Sequence, residues 1–354
     1  MRVRVGIASW GVLAAVACGG DELAPTLEPE PEPACLRSLA TVDGDDPLSY
    51  GVAWSPASNH ALGGTTFELR LLAIEDEGRV LRVADRYRGE TSQLAVAWTS
   101  DGTLALAAGG DGQLHVFEVD VEEERITHVD ALRIDATTVY DVALSPDERH
   151  VLGCGHGGSL TLLRFDRADA MLTIVDRVEA HERCVLARWS PSGRYAASLG
   201  RAETTRFWRL DAEHEHLVEI AALESGEEPG VVAFGADDAE VVHGTFGAEH
   251  RVAVLRLGLE TGALHELQAF DDFASGIKVI APGPDASTFV IAAHDGVPRL
   301  YERERDGSGI ALVERLAEDG NGSHAVSWSP DGTAVIRAAS QRDRFEVIDM
   351  SGCP

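Results

Sequence analysis

Five histidines, His156, His181, His243, His294 and His324, fall in or beside short turn-forming segments between strand-like runs. Arg201, Asp111, Asp295 and Asp343 stand in segments of the same kind. Imidazole with guanidinium and carboxylate neighbours can move a proton, hold an anion or ligate a metal. A metal needs three or four ligands converging at about 2.0–2.2 Å, and single residues in separate repeats reveal no convergence, so no metal site is assigned. The six basic residues, His156, His181, Arg201, His243, His294 and His324, are instead candidates for contacting a protein or small ligand. No catalytic residue is assigned. There is no Gly-x-Ser-x-Gly elbow for a nucleophilic serine, and the one lysine, Lys278, follows no phosphate-binding glycine loop, so no cofactor is expected.

What positions these side chains is a repeat. The phrase "HAVSWSPDGTAVIRAAS" (His324 to Ser340) has six looser copies, marked with it by Trp54, Trp98, Leu144, Trp189, Phe234, Pro282 and Trp328, at separations of 44, 46, 45, 45, 48 and 46. Each phrase reads as strand, Ser-Pro-Asp-Gly-type turn, strand. A third run follows, such as "QLHVFEVD" (Gln113 to Asp120), then an alternating fourth such as "MLTIVDRV" (Met171 to Val178). Four strands per unit of roughly 45 residues, seven times over, predict an all-β, seven-bladed β-propeller. A stacked solenoid is the competing arrangement, but it leaves two ends that need capping repeats. The tryptophans recur at one phase of the repeat, which assigns them to packing between blades rather than to stacking on sugars. The serines of the "WSP" turns are expected to bond the local backbone.

The last unit lacks a fourth strand after "RFEVIDM" (Arg344 to Met350), and "CLRSLATVDG" (Cys35 to Gly44) has the pattern that completes it. Antiparallel pairing of these runs closes the ring and brings Cys35 beside Cys353, which predicts a disulfide. Cys154 ends the second strand of the third unit and Cys184 begins the first strand of the fourth. They lie on one face of neighbouring blades, either paired or as two buried thiols.

The N-terminus, "MRVRVGIASWGVLAAVACGG", has two arginines, an uncharged run from Val5 to Ala17 and small residues before Cys18, the pattern of an export signal over 1–17. The run is short for a spanning helix. "AVAC" resembles the bacterial lipoprotein signal, which implies lipidation of Cys18 and anchoring to an envelope membrane, with a secreted or periplasmic soluble protein as the alternative. Residues 18–34, rich in Glu and Pro, suit an extended tether, and 35–354 form the propeller. An oxidising compartment fits the four remaining cysteines. Net charge is −29, and removing Arg2 and Arg4 makes it −31, which excludes nucleic acid as a natural partner.

"AHERCVLARWSPSGRYAASLGRAETTRFWRL" (Ala180 to Leu210) resembles a WD40-type repeat, with His181 at the Gly-His site, "WSPSG" in the first turn and Trp208 near the end of the third strand. The resemblance implies a protein-binding propeller. It extends loosely over the chain after Cys35, though no unit carries the complete Gly-His and Trp-Asp set. The turn aspartate survives as Asp111 and Asp295, and the fourth unit has none at 202–204, so the hydrogen-bonded tetrad of that family is expected to be absent or incomplete. "VLRLGLETGALHEL" (Val254 to Leu267) is similar to the endings of seven-bladed lactonase repeats, whose His, Arg and Glu set implies hydrolysis of a sugar or related lactone. Here Pro229-Gly230 replaces the family's Pro-Arg-His, and Glu249 lies only near the expected glutamate. The reading that results is a monomeric, membrane-tethered binding scaffold without enzymatic activity, with a lactonase-like hydrolase as the alternative.

Overall fold

The computed structural model of the protein describes residues 35–200, 204–224, 229–316 and 322–353. Within them lie twenty-eight strands in seven four-stranded antiparallel sheets. The seven first strands are Ser49–Trp54, Gln93–Trp98, Val139–Leu144, Cys184–Trp189, Pro229–Phe234, Ile277–Pro282 and Ala325–Trp328. Each contacts the first strand of the next blade, and the seventh contacts the first, so together they line the axis of a closed ring. The chain is a seven-bladed β-propeller.

Burial explains the composition of each strand position. Second strands such as Leu104–Gly109 ("LALAAG") and His150–Gly155 ("HVLGCG") are buried along their whole length, because a neighbouring blade covers each face. Small and β-branched residues let the sheets approach there. Fourth strands such as Met171–Glu179 alternate between buried and exposed positions, because they form the outer rim. Buried side chains run from blade to blade: one apolar cluster joins Leu106 and Val116 of blade 2 to Val142 and Leu163 of blade 3.

The recurring tryptophans tie adjacent blades together. Trp98, Trp189 and Trp328 donate their indole N–H groups to Ala53, Ala143 and Ala281 in the preceding first strand, at 2.9, 3.1 and 3.0 Å. Trp54, at the seam between the last and first blades, differs. Its backbone N–H donates to Ser327 Oγ at 2.9 Å, and its buried indole N–H has no partner among the described residues. The turn serines bond locally as expected: Ser329 Oγ accepts the Ala334 N–H at 2.9 Å and reaches Asp331 Oδ1 at 2.7 Å. Gly332, at φ +72°, supplies the left-handed residue that this turn requires.

Blade 7 is completed by the other end of the chain. Arg37–Asp43 pairs antiparallel with Arg344–Asp349, from Arg37 opposite Asp349 to Asp43 opposite Arg344. A disulfide joins Cys35 to Cys353 just beyond this ladder, with a Cα–Cα distance of 5.0 Å. Cys154 and Cys184 are also paired, which selects the disulfide over two free thiols and links blades 3 and 4 inside their shared apolar cluster.

Candidate functional site

The face formed by loops between second and third strands, and between one blade and the next, carries four of the five candidate histidines, His156, His181, His294 and His324. They serve different purposes. His181 lies in the loop that enters blade 4, where its Nε2 sits 2.8 Å from Ser198 Oγ. That hydroxyl also accepts the indole N–H of Trp208 at 2.9 Å, so a His–Ser–Trp chain crosses the blade from loop to third strand. Gly200 makes room for it: a Cβ there would fall 2.2 Å from the His181 Cβ. Burial, seconded by the Arg206 guanidinium, pushes the His181 pKa down to about 4 and keeps the ring neutral. The sequence carries no aspartate at 201–204, so three of the four expected tetrad members are present.

His243 lies inside the strand Glu240–Thr245 rather than in a loop, is only 3% exposed, and shares a 3.0 Å hydrogen bond with Thr205 Oγ1 of blade 4. Burial first, and the Arg251 charge second, push its pKa down to about 4. The unfolded chain binds this proton near pH 6.5 and the folded chain does not, so acidification favours unfolding. Stability is therefore full above pH 6.5 and falls toward pH 4. Between pH 7.5 and pH 5 the histidine contributes a loss of about 2 kcal/mol. His243→Gln, which can still bond Thr205, is expected to show a correspondingly shallower pH dependence of the urea midpoint. Superimposable pH profiles for wild type and variant would contradict this assignment.

His156 Nδ1 meets the Tyr140 hydroxyl at 2.8 Å. His324 Nδ1 meets the Ser49 carbonyl at 2.7 Å, and its ring stacks on Tyr50 at 5.4 Å, across the seam between the last and first blades. Burial lowers the His324 pKa against the opposing Ser49 hydrogen bond, with Lys278 and His294 acting in the same direction as burial, and Lys278 lines the same cavity as His324. His294 is exposed and packs edge-on against Phe246 at 6.4 Å, over whose ring Lys278 also lies at 5.0 Å. The structure thus brings His294 and His324 into one region with Lys278. It holds His156, His181 and His243 in separate structural bonds. Arg201 and Cys18, together with the expected signal (1–17) and tether (18–34), lie outside the described residues.

The aspartates read as neighbours of a site are structural as well. Asp111 accepts from Gln113 and approaches His115 Nε2 at 3.3 Å, Asp295 pairs with Arg299 at 2.7 Å, and Asp343 is buried against Arg70 at 2.7 Å. Sequence reasoning missed the wall of the axial channel, a cavity of about 650 Å³ lined among others by Tyr50, Tyr140, Asp141, Arg188, Lys278 and His324. Asp141 spans two blades there, accepting the Ala187 N–H at 2.9 Å and the Arg188 guanidinium at 2.5 Å. Burial nonetheless raises its pKa, the adjacent guanidinium acting against the shift. The available signal was a charged residue inside an otherwise apolar first strand.

Comparison with known proteins fits this geometry. Residues 82–118 match the family model "WD domain, G-beta repeat". This segment runs from the outer strand of blade 1 into blade 2, whereas the motifs quoted above are strongest in blade 4. The chain is 26% identical over 202 residues to WD repeat-containing protein 1 of Mus musculus and 25% identical to that of Bos taurus. In both cases the aligned segment covers 46% of this chain and spans 33% of the relative's own length. Among solved structures, a chain of the crystal structure of the mitotic checkpoint complex superposes with a TM-score of 0.70 at 14% identity, covering 95% of this chain and 99% of that one. That likeness establishes a shared fold.

Proposed function

We propose that this chain is a non-enzymatic interaction scaffold: a propeller that captures a protein partner on the ring face bearing His294, His324 and the channel mouth. One observation carries the reading. His181, the histidine that could have served a lactonase-like reaction, is engaged inside blade 4 in a structural bond to Ser198, and His243 is likewise engaged, bonding Thr205 of the neighbouring blade. The similarity of residues 82–118 to WD repeats supports the same reading. A net charge of −29 favours a partner with a basic contact surface.

We further place the scaffold outside the cytoplasm as a monomer tethered through a lipid on Cys18. Two disulfides in one chain support an oxidising compartment, and the "AVAC" segment supports the anchor. Crosslinking and affinity capture from envelope fractions is the direct test. Wild type and His181→Ala are expected to capture the same partner, and neither is expected to turn over a panel of sugar lactones. Lactone hydrolysis abolished by His181→Ala would overturn the scaffold reading, and membrane association that survives Cys18→Ala would overturn the anchor.

A further inference from the structure

The turn between the third and fourth strands of blade 4 reads Asp211-Ala-Glu-His214-Glu-His216. Its backbone recurs in blades 2 and 3. There, as in blade 4, an aspartate opens the turn and its Oδ1 accepts the N–H groups two and three residues on: Asp120 from Glu122 and Glu123, Asp166 from Ala168 and Asp169, Asp211 from Glu213 and His214. Four residues after the aspartate each turn has a left-handed residue, Glu124 at φ 49°, Ala170 at 52° and Glu215 at 51°. The repeated backbone therefore presets one carboxylate, holds its Oδ1 on the main chain and leaves Oδ2 toward the side chains three and five positions on. In blade 2 the fifth of these is Arg125, 4.0 Å from Asp120 Oδ2. In blade 3 the two side chains are Asp169 and Met171, and in blade 4 both are histidine.

His214 Nδ1 lies 3.1 Å from Asp211 Oδ2, and His216 Nε2 lies 3.9 Å from the same oxygen. The three ligand atoms all fall within 4.8 Å of one another. A tetrahedral ion with bonds of about 2.0–2.1 Å holds its ligands roughly 3.3–3.4 Å apart, so small rotations of exposed rings suffice to close the set. The side chains of Asp211, His214 and His216 are 33%, 64% and 45% exposed, which leaves an open path for an ion and for water. Glu215 stands outside the set, because Arg164 and His150 hold it.

We propose that Asp211, His214 and His216 form a surface site for a borderline divalent transition cation, Zn²⁺ foremost, with water completing the tetrahedron. Two imidazole nitrogens and one carboxylate oxygen match that class, whereas Mg²⁺ and Ca²⁺ take oxygen ligands. The strongly acidic chain draws dications toward its surface.

The test is calorimetric titration of the full chain, stripped with chelator, with ZnCl₂ and separately with MgCl₂ and CaCl₂ at pH 7.5. Saturable one-to-one Zn²⁺ binding is expected, with no saturation by the other two ions. His214→Gln weakens it roughly tenfold or more, since even outer-shell changes at metal sites have effects of that size. Asp211→Asn, which keeps an oxygen for the turn, weakens it as well, and His214→Gln with His216→Gln abolishes it. Circular dichroism of the variants is expected to match wild type, because all three side chains are on the surface. Absence of Zn²⁺ binding, or wild-type affinity in the double histidine variant, would overturn the proposal.

Discussion

A variant with Cys35→Ser and Cys353→Ser is expected to unfold roughly 5–10 °C below the wild type. The disulfide joins residues 318 apart in sequence, so it restricts nearly the whole unfolded propeller, and the chain-entropy estimate for such a loop is about 5 kcal/mol. The structural consequence is local. Without the clasp, the strand Arg37–Asp43 is held to blade 7 by its ladder to Arg344–Asp349, by the Arg37–Asp349 ion pair at 2.7 Å and by the Arg344–Asp43 pair at 2.5 Å. Both pairs include a largely exposed member and contribute about 1 kcal/mol at most. Hydrogen exchange is expected to accelerate first in Arg37–Asp43. A melting midpoint within about 1 °C of wild type would show that strand pairing alone keeps the ring shut.

The second large effect is expected at the same seam. Arg70, in the third strand of blade 1, and Asp343, in a loop of blade 7, have side chains only 1% exposed and bond through both guanidinium termini, at 2.8 and 2.7 Å. Arg70 Nε reaches Glu68 Oε2 at 2.7 Å, and Asp343 also accepts the Asp46 N–H at 2.8 Å. Removing one partner of such a pair strands the other charge in a dry site, so Arg70→Met is expected to destabilise the protein by about 3–5 kcal/mol. Combining it with Asp343→Asn should recover part of that loss, because the stranded charge goes too. Denaturant midpoints for the two single variants and the double variant complete the cycle. Strict additivity would mean that the pair does not couple blades 1 and 7. Gly44 belongs to this arrangement: a Cβ there would lie 2.1 Å from Asp343 Oδ2 and 2.3 Å from an Arg70 guanidinium nitrogen.

Both effects concern closure, and this part of the molecule was only half legible in its residues. The pattern of Cys35 to Gly44 announced a fourth strand for the last unit, and the antiparallel rule then placed Cys35 beside Cys353. Asp343 looked like a loop carboxylate available to a ligand. Its burial against Arg70 depends on how two blades 273 residues apart in the chain meet, and no local pattern encodes that. The same limit applied to the histidines. His181 was recognised from its repeat, yet its neutrality follows from burial beside Ser198 and Trp208. His243 reads as lying in or beside a loop and sits within the strand, which runs two residues beyond it, to Thr245.

The amino-acid sequence on its own determined the period, the count of seven blades, the turn chemistry and the way the chain ends meet. Those features rest on alternation, turn residues and spacing, which act within a few tens of residues and repeat. Tertiary structure alone decided which polar side chains remain available. A histidine or aspartate in one blade finds its partner in the same loop, in the next blade or across the seam, and only packed sheets bring those atoms within hydrogen-bonding distance. The turn at Asp211 joins the two levels: its residues are contiguous in sequence, but the direction in which Oδ2, His214 and His216 face follows from a backbone shape that the folded blades impose.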